Sequence, residues 1–241
     1  MAEDYLKETK QNIDIAWYQN ISANTLYELK NGIVDIALVY EPEEAEKAIK
    51  EGWASNRTLI FNDHFLIVGP NTNPSHLNKS DTAPHAFAKI AKTANALPAN
   101  SSVKLFLSRD DGSGTNMKER TLWTLLELLP WEENSPWYIK LHDFPKNALI
   151  TADKLSVYTL TDRGTWLSNR KKLKHYVIYI EGGDVLRNPC FALLNQHPNK
   201  LALDFLHYLQ SDRAQTLIKN FGKKDHDGEA LFTSAKQLDF K

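Results

Sequence analysis

The sequence predicts an α/β fold, because short apolar segments of strand length alternate with amphipathic segments of helical periodicity. The chain has 241 residues, enough for one large domain or for two small lobes that each bury a core. Its composition, with 42% hydrophobic and 24% charged residues, is ordinary for a globular protein. We therefore expect a sheet whose strands are connected by crossover helices.

The first elements alternate strand and helix. Ile13–Tyr18 alternates apolar and polar residues, which is typical of a half-buried strand. The helix predicted over residues 23–30 places Leu26 and Leu29 on one face, and Gly32 beyond it is a common helix stop.

The next strand, Val34–Tyr40, ends before Pro42, where a helix over residues 42–51 begins. Phe65–Pro70 is almost continuously apolar, as expected of a strand covered on both faces. Residues 71–81 are rich in Asn, Pro and Ser, and this composition predicts a loop.

The second half of the chain continues the same alternation. By the same periodicities, further strands are predicted over Val103–Leu107, Ser156–Leu160, Tyr176–Ile180 and Cys190–Leu194. Helices are predicted over Ala83–Asn95, Gly114–Leu129, Lys146–Lys154, Asp162–Leu173 and Lys200–Phe221.

These elements group into two lobes. Residues 1–68 and 187–241 are predicted to form one lobe, and residues 69–186 are inserted as the other. A chain that crosses twice between α/β lobes forms a cleft, and small ligands bind in such clefts.

Composition and motifs exclude several function classes. A net charge of −1 is too small for a nucleic-acid-binding face, and no apolar run is long enough to cross a bilayer. Cys190 is the only cysteine, so neither an internal disulfide nor a cysteine metal cluster can form. The histidines lack metal-ligand spacing and no serine stands in a nucleophile elbow. We predict neither an enzyme nor a bound cofactor or metal ion.

One segment has the composition of an anion site. A strand that ends near residue 107 leads into a glycine- and hydroxyl-rich loop, and a helix begins at once at Gly114. The first turn of a helix presents unpaired N–H groups and partial positive charge. Ser113 and Thr115 add hydroxyl donors, and Arg109 adds a forked cationic one. The alternative is that Asp111 or Ser113 only caps the helix.

Two further strand-to-helix junctions resemble it. Arg163 lies in the first turn of a helix for which Thr161 is the predicted N-cap, and a cation there opposes the helix dipole unless it has an anionic partner. The alternative is a salt bridge from Arg163 to Asp162 or Glu181. Ser22 stands at a third junction, where an ordinary cap is the alternative.

Several motifs resemble those of one family, the tungstate-binding proteins of ABC importers, a branch of the type II periplasmic solute-binding proteins. The matching stretches follow in the family's order: residues 32–43, 57–58, 62–70, 108–115, 118–123, 159–165, 188–189 and 221–223.

The resemblance implies a two-lobed type II periplasmic-binding-protein fold with a ligand cleft between the lobes. It implies capture of tungstate or molybdate for transport, so the metal enters only as an oxyanion, with an ABC transporter membrane component as a partner. It also implies an extracellular or periplasmic location, although Met1–Lys7 lacks the order of a secretory signal. Carried over by position, the anion-binding residues are Ser108, Arg109, Ser113, Gly114, Thr115 and Arg163, with Ser22 as a weaker transfer.

Two departures separate the chain from the family pattern. The family begins with a strand and a Thr/Ser-rich loop, whereas this chain begins in a helix predicted over Ala2–Thr9. The anion loop reads Asp-Asp-Gly where the family usually has Gly-Asp-Asp. These departures leave open an alternative function, a fold-retaining interaction or sensor protein with a degenerate anion site.

Overall fold

The computed structural model describes residues 1–20, 22–98 and 100–240, with the side chains of residues 22 and 23 excepted. The chain forms two compact units, Met1–Asp63 with Asn188–Lys241 and His64–Arg187. Helices and strands alternate along the chain, so the predicted α/β class is confirmed. Across the described ranges, no helix is both long enough and apolar enough to cross a bilayer.

The helices lie close to the segments that periodicity predicts. They are α1 (Ala2–Thr9), α2 (Ser22–Lys30), α3 (Pro42–Lys50), α4 (Ala83–Asn95), α5 (Gly114–Thr124), α6 (Pro145–Leu155), α7 (Arg163–Asn169), α8 (Lys200–Gln210) and α9 (Asp212–Asn220). Short 3-10 helices lie at Arg170–Lys172 and Asp184–Leu186.

The strands differ more from their predicted bounds. They are β1 (Ile36–Val39), β2 (Ala54–Pro70), β3 (Phe106–Ser108), β4 (Tyr138–Lys140), β5 (Tyr158–Asp162), β6 (Tyr176–Glu181), β7 (Arg187–Asn195) and β8 (Thr233–Ser234). The sequence patterns do not predict β4 or β8, and β2 is far longer than its predicted apolar part.

In the unit formed by the two ends of the chain, β1 pairs antiparallel with β7, and β8 pairs antiparallel with the first half of β2. One core cluster of this unit gathers Tyr5, Ile60, Leu194 and Leu206, and a second lies around Leu29 and Leu193. Asp4 of α1 accepts hydrogen bonds from the Tyr208 hydroxyl and the Arg213 guanidinium, which joins α1 to α8 and α9.

In the other unit, the second half of β2 pairs antiparallel with β5 and with β6. β3 runs parallel to both β5 and β4. The core beneath α4 and α5 is aromatic: the Phe87 and Trp123 ring centroids lie 4.4 Å apart, and Phe106 packs on both. Because β3 and β5 are parallel, the helices that follow them, α5 and α7, both begin at one edge of this sheet.

Three predicted elements are wrong in part. Ile13–Tyr18 forms no strand: Ile13 and Ile15 pack against the core, but the segment has no regular structure. The predicted helix 200–221 is divided at Ser211, which has extended backbone and caps α9 by accepting the Ala214 N–H. α5 stops at Thr124 instead of Leu129, because the turn that follows places Glu127 in the left-handed region, φ 58°.

Candidate functional site

The loop between β3 and α5 is held by local hydrogen bonds. Ser113 is the N-cap of α5, and its hydroxyl oxygen accepts the Asn116 N–H at 3.5 Å. The Asp111 carboxylate accepts the Ser113 N–H at 3.0 Å. Ser113 therefore makes the capping contact that the simpler interpretation predicts, and Asp111 forms a turn just before the helix. The same contacts fix the direction of the first helical turn.

The first turn of α5 keeps donors available. The N–H groups of Gly114 and Thr115 belong to the set that an α-helix leaves without intrahelical partners. The Ser113 hydroxyl uses a lone pair for capping, so its own proton is free to be donated. Over the side of Gly114 where a Cβ would stand, no heavy atom of the described residues lies within 4 Å. Thr115 is 8% exposed, so the open part of the turn is at Gly114. Helical N–H groups beside such an open space match the chemistry of a tetrahedral anion.

Arg109 lies beside this turn in a pair with Asp111. One guanidinium nitrogen donates to the Asp111 carboxylate, and Nε reaches the Asp143 carbonyl at 3.4 Å. The Arg109 side chain is only 13% exposed. A guanidinium carries five N–H donors, so these contacts orient it without using all of them. Asp111 therefore positions Arg109 as well as holding the turn before the helix.

Ser108 does not face the open turn. It is 1% exposed, and its hydroxyl donates to the Glu119 carboxylate. The same oxygen accepts the Asp110 N–H at 3.1 Å and the Asn116 side-chain amide at 3.2 Å. These three bonds use the whole hydrogen-bonding capacity of a hydroxyl.

Glu119 is the buried acid of this region, and sequence reasoning does not single it out. It is 2% exposed and accepts hydrogen bonds from Ser108, Asn116, Trp123 and Tyr138. Burial raises the pKa of Glu119, and the four hydrogen bonds act in the opposite direction. A polar pair three residues apart in a helix, here Asn116 and Glu119, is the signal that points to it.

Arg163 begins α7, at the sheet edge where α5 also begins. It is 4% exposed, and its guanidinium pairs with Glu181 of β6, as one of the two predicted alternatives states. The N-cap of α7 is Asp162 and not Thr161: the Asp162 carboxylate accepts the Thr165 N–H at 2.7 Å. Thr161 lies one residue too early in the chain to cap a helix that begins at Arg163. The side chain of Ser22 lies outside the described residues.

A separate open groove in the unit His64–Arg187 has a volume of about 650 Å³. Its walls are largely aromatic and aliphatic, with Leu77, Trp166, Tyr176 and Tyr179 among them. Of the predicted anion-binding residues whose side chains the structure describes, none lines it. The groove offers few converging donors, so the loop before α5 remains the better anion candidate.

Comparison with known proteins gives the family. The PBP superfamily domain model matches residues 1–213. A Haloferax volcanii protein, provisionally named an ABC transporter anion-binding protein, is 30% identical over 80% of this chain and 56% of its own length. The tungstate-binding protein TupA of Peptoclostridium acidaminophilum is 30% identical over 85% of this chain and 69% of its own length. This chain thus spans only about half to two thirds of these relatives.

A solved structure extends the match to the fold. The tungstate-binding protein TupA of Desulfovibrio alaskensis G20 superposes with a TM-score of 0.85 and 28% identity, covering 98% of this chain and 92% of that one. The family and the fold implied by the motifs are thereby confirmed. The chain belongs to the PBP superfamily, with its type II fold, and within it to the family of tungstate-binding solute-binding proteins of ABC importers.

Proposed function

We propose that the chain captures a tetrahedral oxyanion, tungstate or molybdate, at the start of α5. The observation that carries this proposal is the open space over Gly114 in the first turn of α5, where helical N–H groups lack intrahelical partners, in a relative of tungstate-binding proteins. Helix N-termini bind such anions without needing net positive charge, in agreement with a chain charge of −1.

Backbone and side-chain groups of the loop would each donate hydrogen bonds to the anion. The backbone N–H groups of Gly114 and Thr115 and the hydroxyls of Ser113 and Thr115 would donate to the anion oxygens. Arg109 would add a charge-assisted donor, and charge-assisted bonds are roughly twice as strong as neutral ones.

Arg163 would contribute positive charge from the neighbouring helix start, shared with Glu181. Ser108 would hold the loop in place through its hydrogen bond to Glu119. Ser22 stays a proposed contributor by its place in the family pattern.

We further propose that the chain serves an ABC importer outside the cytoplasmic membrane, passing the anion to the membrane component. The names of the relatives support this role: one is provisionally an ABC transporter anion-binding protein, and others are tungstate-binding proteins. They favour capture over the alternative of an interaction or sensor protein. The same names favour tungstate over molybdate as the preferred ion.

Calorimetric titration and thermal unfolding with tungstate, molybdate and sulfate test the proposal. Tungstate is expected to raise the melting temperature, and Arg109→Gln is expected to weaken its binding by about 10-fold or more, the loss of one charge-assisted hydrogen bond of about 1.5–3 kcal/mol.

Arg213→Gln is the matched control, because it removes another guanidinium that pairs with an aspartate, Asp4, in the other unit. Its tungstate affinity is expected to equal that of the unchanged protein. A melting temperature unmoved by all three anions would overturn the proposed function.

A further inference from the structure

We infer that Asn116 and Glu119 are positioning residues that set the shape of the anion loop from behind. The inference rests on the proposed function, because it concerns how the loop of residues 108–115 is held ready for the anion. Neither side chain is expected to touch the anion: Asn116 is 1% exposed and Glu119 2% exposed.

Asn116 joins three points of the loop. Its side-chain oxygen accepts the Gly112 N–H at 3.1 Å, and its side-chain nitrogen donates to the Ser108 hydroxyl at 3.2 Å. Its backbone N–H is the group that the Ser113 hydroxyl caps. One residue thereby connects the beginning, the middle and the end of the loop. Gly112, with φ 71°, is the point where the chain turns toward the helix.

Glu119 fixes the direction of these hydrogen bonds, that is, which group donates and which accepts. The Ser108 oxygen accepts two hydrogen bonds, from Asp110 and Asn116, so its single proton must be donated to the Glu119 carboxylate. On the far side, the Trp123 indole and the Tyr138 hydroxyl donate to the other carboxylate oxygen, at 2.9 and 2.7 Å. Each group has one role as donor or acceptor, and reversing that role at Asn116 or Glu119 leaves the neighbours mismatched.

The direction of these hydrogen bonds predicts which single substitutions disrupt the loop and which double substitution restores it. Glu119→Gln turns an amide N–H₂ toward the donors on Ser108 and Asn116. Asn116→Asp places a carboxylate against that of Glu119. The double variant N116D/E119Q exchanges donor and acceptor: the amide introduced at position 119 would donate to the carboxylate introduced at position 116 and to Ser108, and Ser108 would donate to that new carboxylate. The net charge of the double variant equals that of the unchanged chain.

The test is a double-mutant cycle read by tungstate calorimetry and by amide hydrogen exchange of the anion-free protein. Each single variant is expected to bind tungstate about tenfold more weakly or worse, with faster exchange at Gly112 and Asp110. The double variant is expected to recover both the slow exchange and an affinity within about threefold of the unchanged protein. A network that contributed only to stability would leave the tungstate affinity of the folded single variants unchanged.

Tyr138→Phe is the control, because it removes a donor from the far oxygen of Glu119 and leaves the Ser108 and Asn116 contacts in place. It is expected to lower the free energy of unfolding without weakening tungstate binding. Single variants that bind tungstate as the unchanged protein does, or a double variant as weak as either single one, would overturn the inference alone. An unchanged protein that binds no oxyanion would overturn the proposed function and this inference with it.

Discussion

Ser108 donates its hydroxyl proton to the buried carboxylate of Glu119, and this contact joins the end of β3 to the middle of α5. A serine that the family pattern places at the anion thus belongs to a buried polar network. Gly114, whose N–H we propose as a donor to the anion, lies a few residues later, at the open start of α5. The loop thus separates the groups that hold its shape from the groups that would meet the anion.

Ser108→Ala is expected to lower the free energy of unfolding by about 1–3 kcal/mol, because it leaves the Asp110 N–H without its acceptor and takes one donor from the buried Glu119 carboxylate. Ser113→Ala removes a longer capping bond nearer to solvent and should cost about 1 kcal/mol or less. Urea unfolding of both variants measures the difference. Equal losses would contradict the assignment of Ser108 to the buried network.

Gly114→Ala is expected to weaken tungstate binding while leaving the protein as stable or up to about 1 kcal/mol more stable. The added methyl group would meet open space in the anion-free protein, but it would stand where the anion must approach the helix. Calorimetry and urea unfolding measure the two effects.

Gly69→Ala calibrates the stability measurement for the Gly114 variant. A Cβ at Gly69 would overlap the Tyr158 ring, so a loss of about 1–3 kcal/mol is expected. Unchanged tungstate affinity in Gly114→Ala would show that the anion does not approach that turn.

Glu181→Gln tests whether Arg163 shares its charge with the anion. Arg163 is buried and Glu181 is about a third exposed, so the loss of the pair should destabilise the protein by about 1–3 kcal/mol. If Arg163 contributes to the anion site, tungstate should raise the melting temperature of this variant more than that of the unchanged protein. Equal shifts in thermal unfolding would exclude Arg163 from the anion's partners.

Asp4→Asn should remove an acid-sensitive part of the stability. Hydrogen bonds from Arg213 and Tyr208 hold the pKa of Asp4 well below its ordinary value of 3.8. A carboxyl with a lowered pKa stabilises the fold fully above its unfolded pKa, and the contribution disappears as the pH falls toward the folded pKa. In urea unfolding, the difference in the free energy of unfolding between the unchanged protein and Asp4→Asn should therefore be constant above about pH 5 and shrink below about pH 4.

Tyr208 makes a contribution to stability that is lost at alkaline pH, whereas that of Asp4 is lost at acid pH. It therefore serves as an internal check on the contacts of Asp4. Burial, with help from Asp4, raises the pKa of Tyr208 to about 12. The contribution of Tyr208 to the free energy of unfolding is complete below its ordinary pKa of 10 and is lost as the pH rises toward 12. Tyr208→Phe should lack this alkaline loss. A stability difference for Asp4→Asn that persisted undiminished at pH 3 would contradict the role of Asp4.

Local signals predicted most helices well. α4 occupies the predicted Ala83–Asn95, with Thr82 as a cap that accepts the His85 N–H and Pro84 in its first turn. These signals act within one turn, so the sequence contains them in full. The division at Ser211 was not predicted, although it obeys the same rule, since Ser211 and Asp212 are a typical helix start.

Strands were harder to predict because a strand needs a partner. Ile13 and Ile15 do alternate inward, as the pattern predicts, but the described residues provide no neighbouring strand for them. β4 was missed because its three residues form a strand only by pairing with β3. Pairing joins segments distant in sequence, and periodicity within one segment does not contain it.

The amino-acid sequence alone was enough to establish the α/β class, the family and the start of a helix directly after Ser113. These follow from periodicity, motif order and capping, all of which are local or linear in the chain. The folded structure was needed to establish that Ser108 faces Glu119, that Arg109 pairs with Asp111 and that Arg163 pairs with Glu181. Hydrogen-bond partners are chosen by burial, because a buried polar group must satisfy its bonds within the space that packing leaves to it.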